Sequence, residues 1–328
     1  MIQQSKLYPL KFQPIIKEKI WGGDKLRNLL NKQSNSSIVG ESWEISAVEE
    51  SISVVANGDL KGTTLKSLIK TYKNDLVGKR VYQQFGEKFP LLVKFIDAQE
   101  DLSIQLHPND ILAKERHNSF GKTEMWYVVQ ADKGTNLIID FKEKITKDVY
   151  ESSLKGGKIE ELLNFEPVAK GACYFINAGK IHAICKGALI AEIQQTSDIT
   201  YRVYDWNRKD KNGNGRELHT EMALDALDFS AERNFELKYS KNLNVANSLA
   251  KTDYFTTNYI HVKKNKINRD YSKLDSFIIL MCVEGSGAIN CGGYVETVEL
   301  GETLLIPADN PEITIETDLE MMLLEVYV

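Results

Sequence analysis

The sequence has little of what marks an extracellular, membrane or nucleic-acid-binding chain. Only four cysteines occur in 328 residues: Cys173, Cys185, Cys282 and Cys291. None forms a Cys-x-x-Cys pair, so no disulfide framework or thiolate metal site is indicated. Reduced thiols packed in strands are the expectation. No apolar run is long enough to span a bilayer. Lys6, Lys11, Lys17 and Lys19 interrupt the start, which does not resemble a signal peptide. A cytoplasmic protein without membrane partners is therefore expected. The net charge of −5 gives no general attraction to nucleic acid, so an anionic ligand would need a local basic pocket. Histidine is also scarce, at five. The oligomeric state is not legible.

What is present is an ordinary globular composition, 42% hydrophobic and 27% charged. The length suits two domains or a pair of barrels. Residues 1–62 have the character of an irregular arm with short strands, punctuated by Gly22-Gly23 and Gly58. Leu65, Leu68, Ile69 and Tyr72 keep helical spacing after a Thr cap, which predicts one helix there. From Pro90 onward short apolar runs dominate, bounded by Gly, Pro or Asp, at 91–95, 102–107, 125–129, 137–141, 172–176 and 188–194. Short helices are expected at 147–154, 158–163 and 222–227. From about residue 240 only strands are expected, at 276–283, 294–298, 302–306 and 321–328. Many short strands separated by turns indicate a mainly β protein built as a closed barrel or jelly roll. A weak internal repeat aligns Gly171, Asn177 and His182 with Gly301, Pro307 and Glu312. It suggests one barrel unit used twice, with the histidine lost from the second copy and Met322 opposite Glu192.

The chemistry concentrates in Leu102-Ser103-Ile104-Gln105-Leu106-His107-Pro108. Strand side chains alternate faces, so Gln105 and His107 point one way and Ile104 and Leu106 the other. A polar pair turned inward needs a partner, and a metal ion supplies one. Glu124 stands at the mouth of the next strand, and His182 lies in a Gly-marked turn running into another. Gln105, His107, Glu124 and His182 together offer two imidazole nitrogens and two side-chain oxygens. Such a set without thiolate suits zinc, and also iron, manganese or nickel. A glutamine ligand fits a catalytic centre open to substrate. Glu192 interrupts an apolar strand, where it could be a tuned base or simply a partner for Lys or Arg. His117, His219 and His261 lack such a setting and are expected to be structural.

At these residues the chain resembles the class I, zinc-dependent mannose-6-phosphate isomerases in their short bacterial form. The resemblance rests on three ordered blocks: Leu102 to Asp110, Lys122-Thr123-Glu124-Met125, and Gly179 to His182 followed by Ser197-Asp198 and Arg202. It implies two cupin-like jelly-roll barrels with a few short helices. Residues 1–235 would hold the arm and the catalytic barrel, and residues 236–328 a barrel without metal. It implies one zinc ion on Gln105, His107, Glu124 and His182, and interconversion of mannose 6-phosphate and fructose 6-phosphate through an enediol. Arg202 matches the arginine that the family treats as catalytic. Glu192 and Lys122 join it as catalytic candidates, and Trp21, Lys94 and Asp198 as substrate-binding ones, with Asp198 orienting Arg202. Glu44 is expected to be structural. Longer family members carry His-Lys-x-Glu where this chain has Gly121-Lys122-Thr123-Glu124, so no role of that histidine carries over. Rival readings on the same barrel are an iron-dependent dioxygenase and a non-enzymatic sugar-binding cupin.

Overall fold

Strand alternation and burial build three large sheets, beside a two-stranded one formed by Ala47–Val48 and Ser51–Ile52. The computed structural model describes residues 6–209, 212–231 and 234–328. A six-stranded sheet runs in the order Cys173–Ile176, Glu124–Ala131, Ala188–Gln195, Leu91–Asp97, Val39–Ile45, Ile15–Gly23. A five-stranded sheet runs Leu163–Pro167, Asn136–Phe141, His182–Ile184, Ile104–Leu106, Tyr201–Tyr204. The two pack face to face around Ile96, Trp126, Val128 and Ile190 of the first and Leu137, Ile139 and Ile184 of the second.

The six-stranded sheet is buried on its other face as well. There Val93, Phe95, Tyr127 and Ala191 pack in one core with Tyr259, Ile279 and Leu324 of the C-terminal sheet and with Phe277 just before it. This explains why Leu91–Asp97 and Ala188–Gln195 are buried along their whole length and nearly continuously apolar. A polar residue in such a strand, Lys94 or Glu192, must find its partner inside the protein. The helix Leu65–Tyr72 forms where its spacing predicts, with the Thr64 side chain capping Ser67 N and Leu65, Leu68, Ile69 and Tyr72 buried.

The C-terminal sheet repeats this topology with fused strands. Its order is Leu10–Lys11, Thr303–Ile306, Ile278–Cys291, Glu312–Tyr327, Thr256–Asp270, Ala246–Lys251, with Tyr294–Glu299 also paired to Ile278–Cys291. The first part of Ile278–Cys291 pairs with Thr303–Ile306, as Glu124–Ala131 pairs with Cys173–Ile176. Its far part pairs with Tyr294–Glu299, as Asn136–Phe141 pairs with Leu163–Pro167. Each long strand thus serves where two short ones serve in the first copy. Gly171 and Gly301 both have positive φ, +80° and +91°, which only glycine adopts readily, and each leads into a four-residue strand. The interior of this copy is apolar, filled by Ile260, Val262, Leu280, Leu304, Ile313 and Leu323.

Four expectations need correction. Among the described residues no ladder closes a sheet on itself, so the closed barrel is replaced by open sheets packed together. The N-terminal segment is no arm, because Val39–Ile45 and Ile15–Gly23 extend the six-stranded sheet. The stretch expected as a helix at 158–163 is a single 3-10 turn, Ile159–Leu162. The repeat slips by one residue: Leu323, not Met322, faces the interior, while Met322 packs on the opposite core with the neighbours of Leu324. The offset runs the length of the strand, because Ile313, Ile315, Met321 and Leu323 all face the interior, and one residue of slip exchanges faces. Glu312 begins its strand exposed to solvent. The four cysteines are free and buried, as expected. No helix among the described residues is long and apolar enough to cross a membrane.

Candidate metal centre

Strand register sets two polar rows facing each other across the sandwich. In the five-stranded sheet, Gln105 is paired on one side with His182 and on the other with Arg202. In the six-stranded sheet, Glu192 lies between Trp126 and Lys94, and Lys94 is next paired with Trp43. His107 follows the strand Ile104–Leu106, and Glu124 opens the strand Glu124–Ala131. All three of His107, Glu124 and His182 are about 1% exposed.

Their ligand atoms converge. His107 Nε2 and His182 Nε2 are 3.2 Å apart. Glu124 Oε2 lies 3.5 Å from the first and Oε1 3.4 Å from the second. A tetrahedral ion with bonds of about 2.0–2.1 Å would hold its ligand atoms roughly 3.3–3.4 Å apart. The imidazoles cannot satisfy one another. Each Nδ1 sits 2.8 Å from a carbonyl oxygen, of Ile199 for His107 and of Lys180 for His182, and so carries the proton. Two Nε2 lone pairs then face each other. Burial, reinforced by the Lys122 ammonium, holds His107 well below the ordinary imidazole range. Burial likewise holds His182 at about 4 against the opposing bond to Lys180. Glu124 Oε2 is buried and receives no hydrogen bond. Two neutral imidazoles and an unsatisfied carboxylate oxygen around one point fit a divalent cation.

The centre lies against a cavity of about 330 Å³ lined by His182, Gln105, Lys122, Glu192, Lys94, Trp21, Asp198 and Arg202, among others. The cavity wall thus brings together residues that are far apart in the sequence. Lys122 Nζ is 3.5 Å from Glu124 Oε2. Glu192 accepts from Trp126 Nε1 at 3.0 Å and pairs with Lys94 at 3.0 Å. Burial and the Glu124 charge raise the Glu192 carboxyl, while Lys94 opposes them. Burial would lower Lys94, but Glu192, Glu41 and Glu124 overcome it and raise the ammonium.

Two details differ from expectation. Arg202 is held by Ser103 Oγ at 3.3 Å and the Glu217 carbonyl at 2.8 Å, and among the described residues it forms no ion pair with Asp198. Lys94 is enclosed by carboxylates, which leaves it no charge to spare for a substrate anion. Glu44 is structural, joined to the buried Lys32 at 2.8 Å. His117, His219 and His261 bond Tyr201, Arg202 N and Glu320 respectively, away from the centre.

Lining residues absent from the expectation include four from the N-terminal strands: Lys17, Lys19, Glu41 and Trp43. Trp43 Nε1 donates to Glu41 at 2.6 Å. Burial would raise the Glu41 carboxyl, but Lys94 and Lys19 hold it down at about 2. The available signal was the period of two in Lys17, Lys19 and Trp21 and again in Glu41 and Trp43.

The turn before His182 is clamped from below. Gly179 N donates to the His107 carbonyl at 2.8 Å, tying the two histidine segments together. Lys180 is 1% exposed, and its Nζ lies 2.9 Å from Asp140 and 2.9 Å from Asp228. Lys180→Met removes the ammonium from between these carboxylates. It is expected to weaken metal binding about tenfold to a hundredfold through a misplaced His182, and to lower stability by roughly 3–5 kcal/mol. Competition with a chromophoric chelator and urea unfolding measure the two effects.

The geometry defines the class as a β-sandwich of the cupin kind with a buried triad, His107, Glu124 and His182, that could hold a metal ion. Residues 9–143 match the family "Phosphomannose isomerase type I, catalytic domain", and residues 246–326 match "Mannose-6-phosphate isomerase, cupin domain". The chain is 34% identical over 311 residues to mannose-6-phosphate isomerase ManA of Bacillus subtilis, covering 94% of this chain and 96% of ManA. It is 33% identical over 314 residues to the mannose-6-phosphate isomerase of Streptococcus mutans, covering 96% and 97%. The crystal structure of the mannose 6-phosphate isomerase from Bacillus subtilis superposes with a TM-score of 0.88 at 32% identity, covering 98% of this chain and all of that one. The chain belongs to the type I mannose-6-phosphate isomerase family.

Proposed function

We propose that this protein interconverts mannose 6-phosphate and fructose 6-phosphate, with zinc as its metal. The observation that carries this reading is the pair of neutral imidazoles and the unsatisfied Glu124 oxygen, set against a cavity lined with cations. His107, Glu124 and His182 would hold the ion, with Gln105 as the fourth protein ligand. When bound, such an ion supplies Lewis-acid polarisation of the sugar's carbonyl and hydroxyl oxygens.

The chain's own residues do the rest. The reaction moves a proton from C2 to C1 of the aldose while the O2 proton passes to O1. Glu192, raised by burial and held by Trp126 and Lys94, would accept and return the carbon-bound proton. Lys122 is the second candidate, because its ammonium reaches the same space beside Glu124. Arg202 stabilises the negative charge that develops on the enediol oxygens. Trp21 walls the cavity, and Asp198 reaches it from the segment before Arg202. We read residues 1–235 as the catalytic unit and 236–328 as a second cupin-like unit whose apolar interior holds no metal. A cytoplasmic setting accords with four free thiols. The test is a coupled assay. Zinc-loaded protein should form fructose 6-phosphate from mannose 6-phosphate, and absence of turnover would refute the reading.

A further inference from the structure

Isomerisation at C1 and C2 leaves the phosphate of a hexose 6-phosphate at the far end of the cavity, where it needs a cation not already neutralised. Six cations line the cavity: Lys17, Lys19, Lys94, Lys122, Arg202 and Arg216. Four are committed to carboxylates. Lys94 pairs with Glu192 at 3.0 Å, Lys122 with Glu124 at 3.5 Å and Lys19 with Glu41 at 3.5 Å. Arg216 grips Asp205 through two nitrogens. Arg202 has no acidic partner among the described residues, but it is paired with Gln105 in the ladder and so belongs to the metal end.

Lys17 remains. It alternates with Lys19 and Trp21 along Ile15–Gly23, and all three line the cavity. Its Nζ donates to Ser51 Oγ at 2.6 Å and lies 4.6 Å from the Trp43 ring centre. Lys94 Nζ lies 5.9 Å from the centre of the same ring, so Trp43 links Lys17 to the Lys94–Glu192 pair. Of the acidic side chains at this end, Glu41, the ladder partner of Lys17, is held by Lys19 at 3.5 Å and by Trp43 Nε1 at 2.6 Å, Glu49 is taken by Lys66 at 2.9 Å, and Glu50 is exposed on a turn. A half-buried ammonium with a hydroxyl beside it, and no carboxylate within ion-pair distance among the described residues, offers a monodentate phosphate site.

We propose that Lys17, with Ser51 Oγ, anchors the substrate's phosphate dianion, and that Trp43 spaces this anchor from the reacting carbons. The proposal rests on the isomerase reading, and the two can fail separately. Lys17→Met should raise KM for mannose 6-phosphate about tenfold to a hundredfold. It should leave kcat within about threefold, because the anchor binds ground and transition states alike. Competitive inhibition by inorganic phosphate should weaken in parallel, and Lys17→Arg should recover most of both. Unchanged KM and unchanged phosphate inhibition in Lys17→Met, with the wild type active, would overturn the anchor. A fall in kcat at constant KM would do the same. A zinc-loaded wild type without turnover would instead overturn the isomerase reading.

Discussion

Stripping the metal with a chelator is expected to reduce isomerase turnover by at least about a thousandfold, and zinc to restore it. A Lewis acid at the sugar oxygens is worth several kcal/mol of transition-state stabilisation, and ~4 kcal/mol corresponds to that factor. Near the metal only Arg202 is left without an acidic partner among the described residues to share that task. Lys122 is engaged with Glu124, Lys94 with Glu192, and both imidazoles are held neutral. The metal-free centre is also costly, because two lone pairs face each other 3.2 Å apart beside an unsatisfied carboxylate oxygen. Zinc should therefore raise the unfolding temperature as well as the activity, by mass action on the native state. The coupled fructose 6-phosphate assay with and without chelator, beside thermal unfolding, makes both measurements. Full turnover in protein shown to be metal-free would end the proposal.

The centre was legible in sequence for a physical reason. Its two histidines belong to a scarce type and lie at strand ends near Pro108 and Gly179, and strand alternation puts Gln105 and His107 on one face. The sheet ladder then pairs Gln105 with His182, which no spacing along the chain announces. The outer wall was harder to see. Ile15–Gly23 points its lysines inward and leaves Ile20 half exposed, so the usual sign of the pattern is inverted. A strand that turns charge toward an interior looks like a solvated arm until the cavity is known. The C-terminal copy was legible through Gly171 and Gly301, whose positive φ is a backbone requirement. Its register was not, because Met321 to Leu324 are apolar on both faces and leave no alternation to read.

Arg202→Ala is expected to lower kcat by about 10²–10³ while leaving the metal content unchanged. The guanidinium is half-buried, and burial together with nearby Arg216 lowers its pKa. An arginine nevertheless stays charged. Among the described residues it has only a hydroxyl, Ser103, and a main-chain carbonyl, Glu217, for support. A charge kept there without a counter-ion is held at a cost, and negative charge gathering on the sugar oxygens relieves that cost in the transition state. Removing a preorganised donor of this kind typically costs two to three powers of ten. Because Arg202 contributes no metal ligand, metal analysis of the variant should match the wild type. Arg202→Lys should fall between the two, since it keeps the charge but loses the planar fork that reaches two oxygens at once. The split between kcat and metal content separates this role from a structural one. A folded, metal-loaded Arg202→Ala enzyme with wild-type turnover would show that the charge serves something other than the reaction.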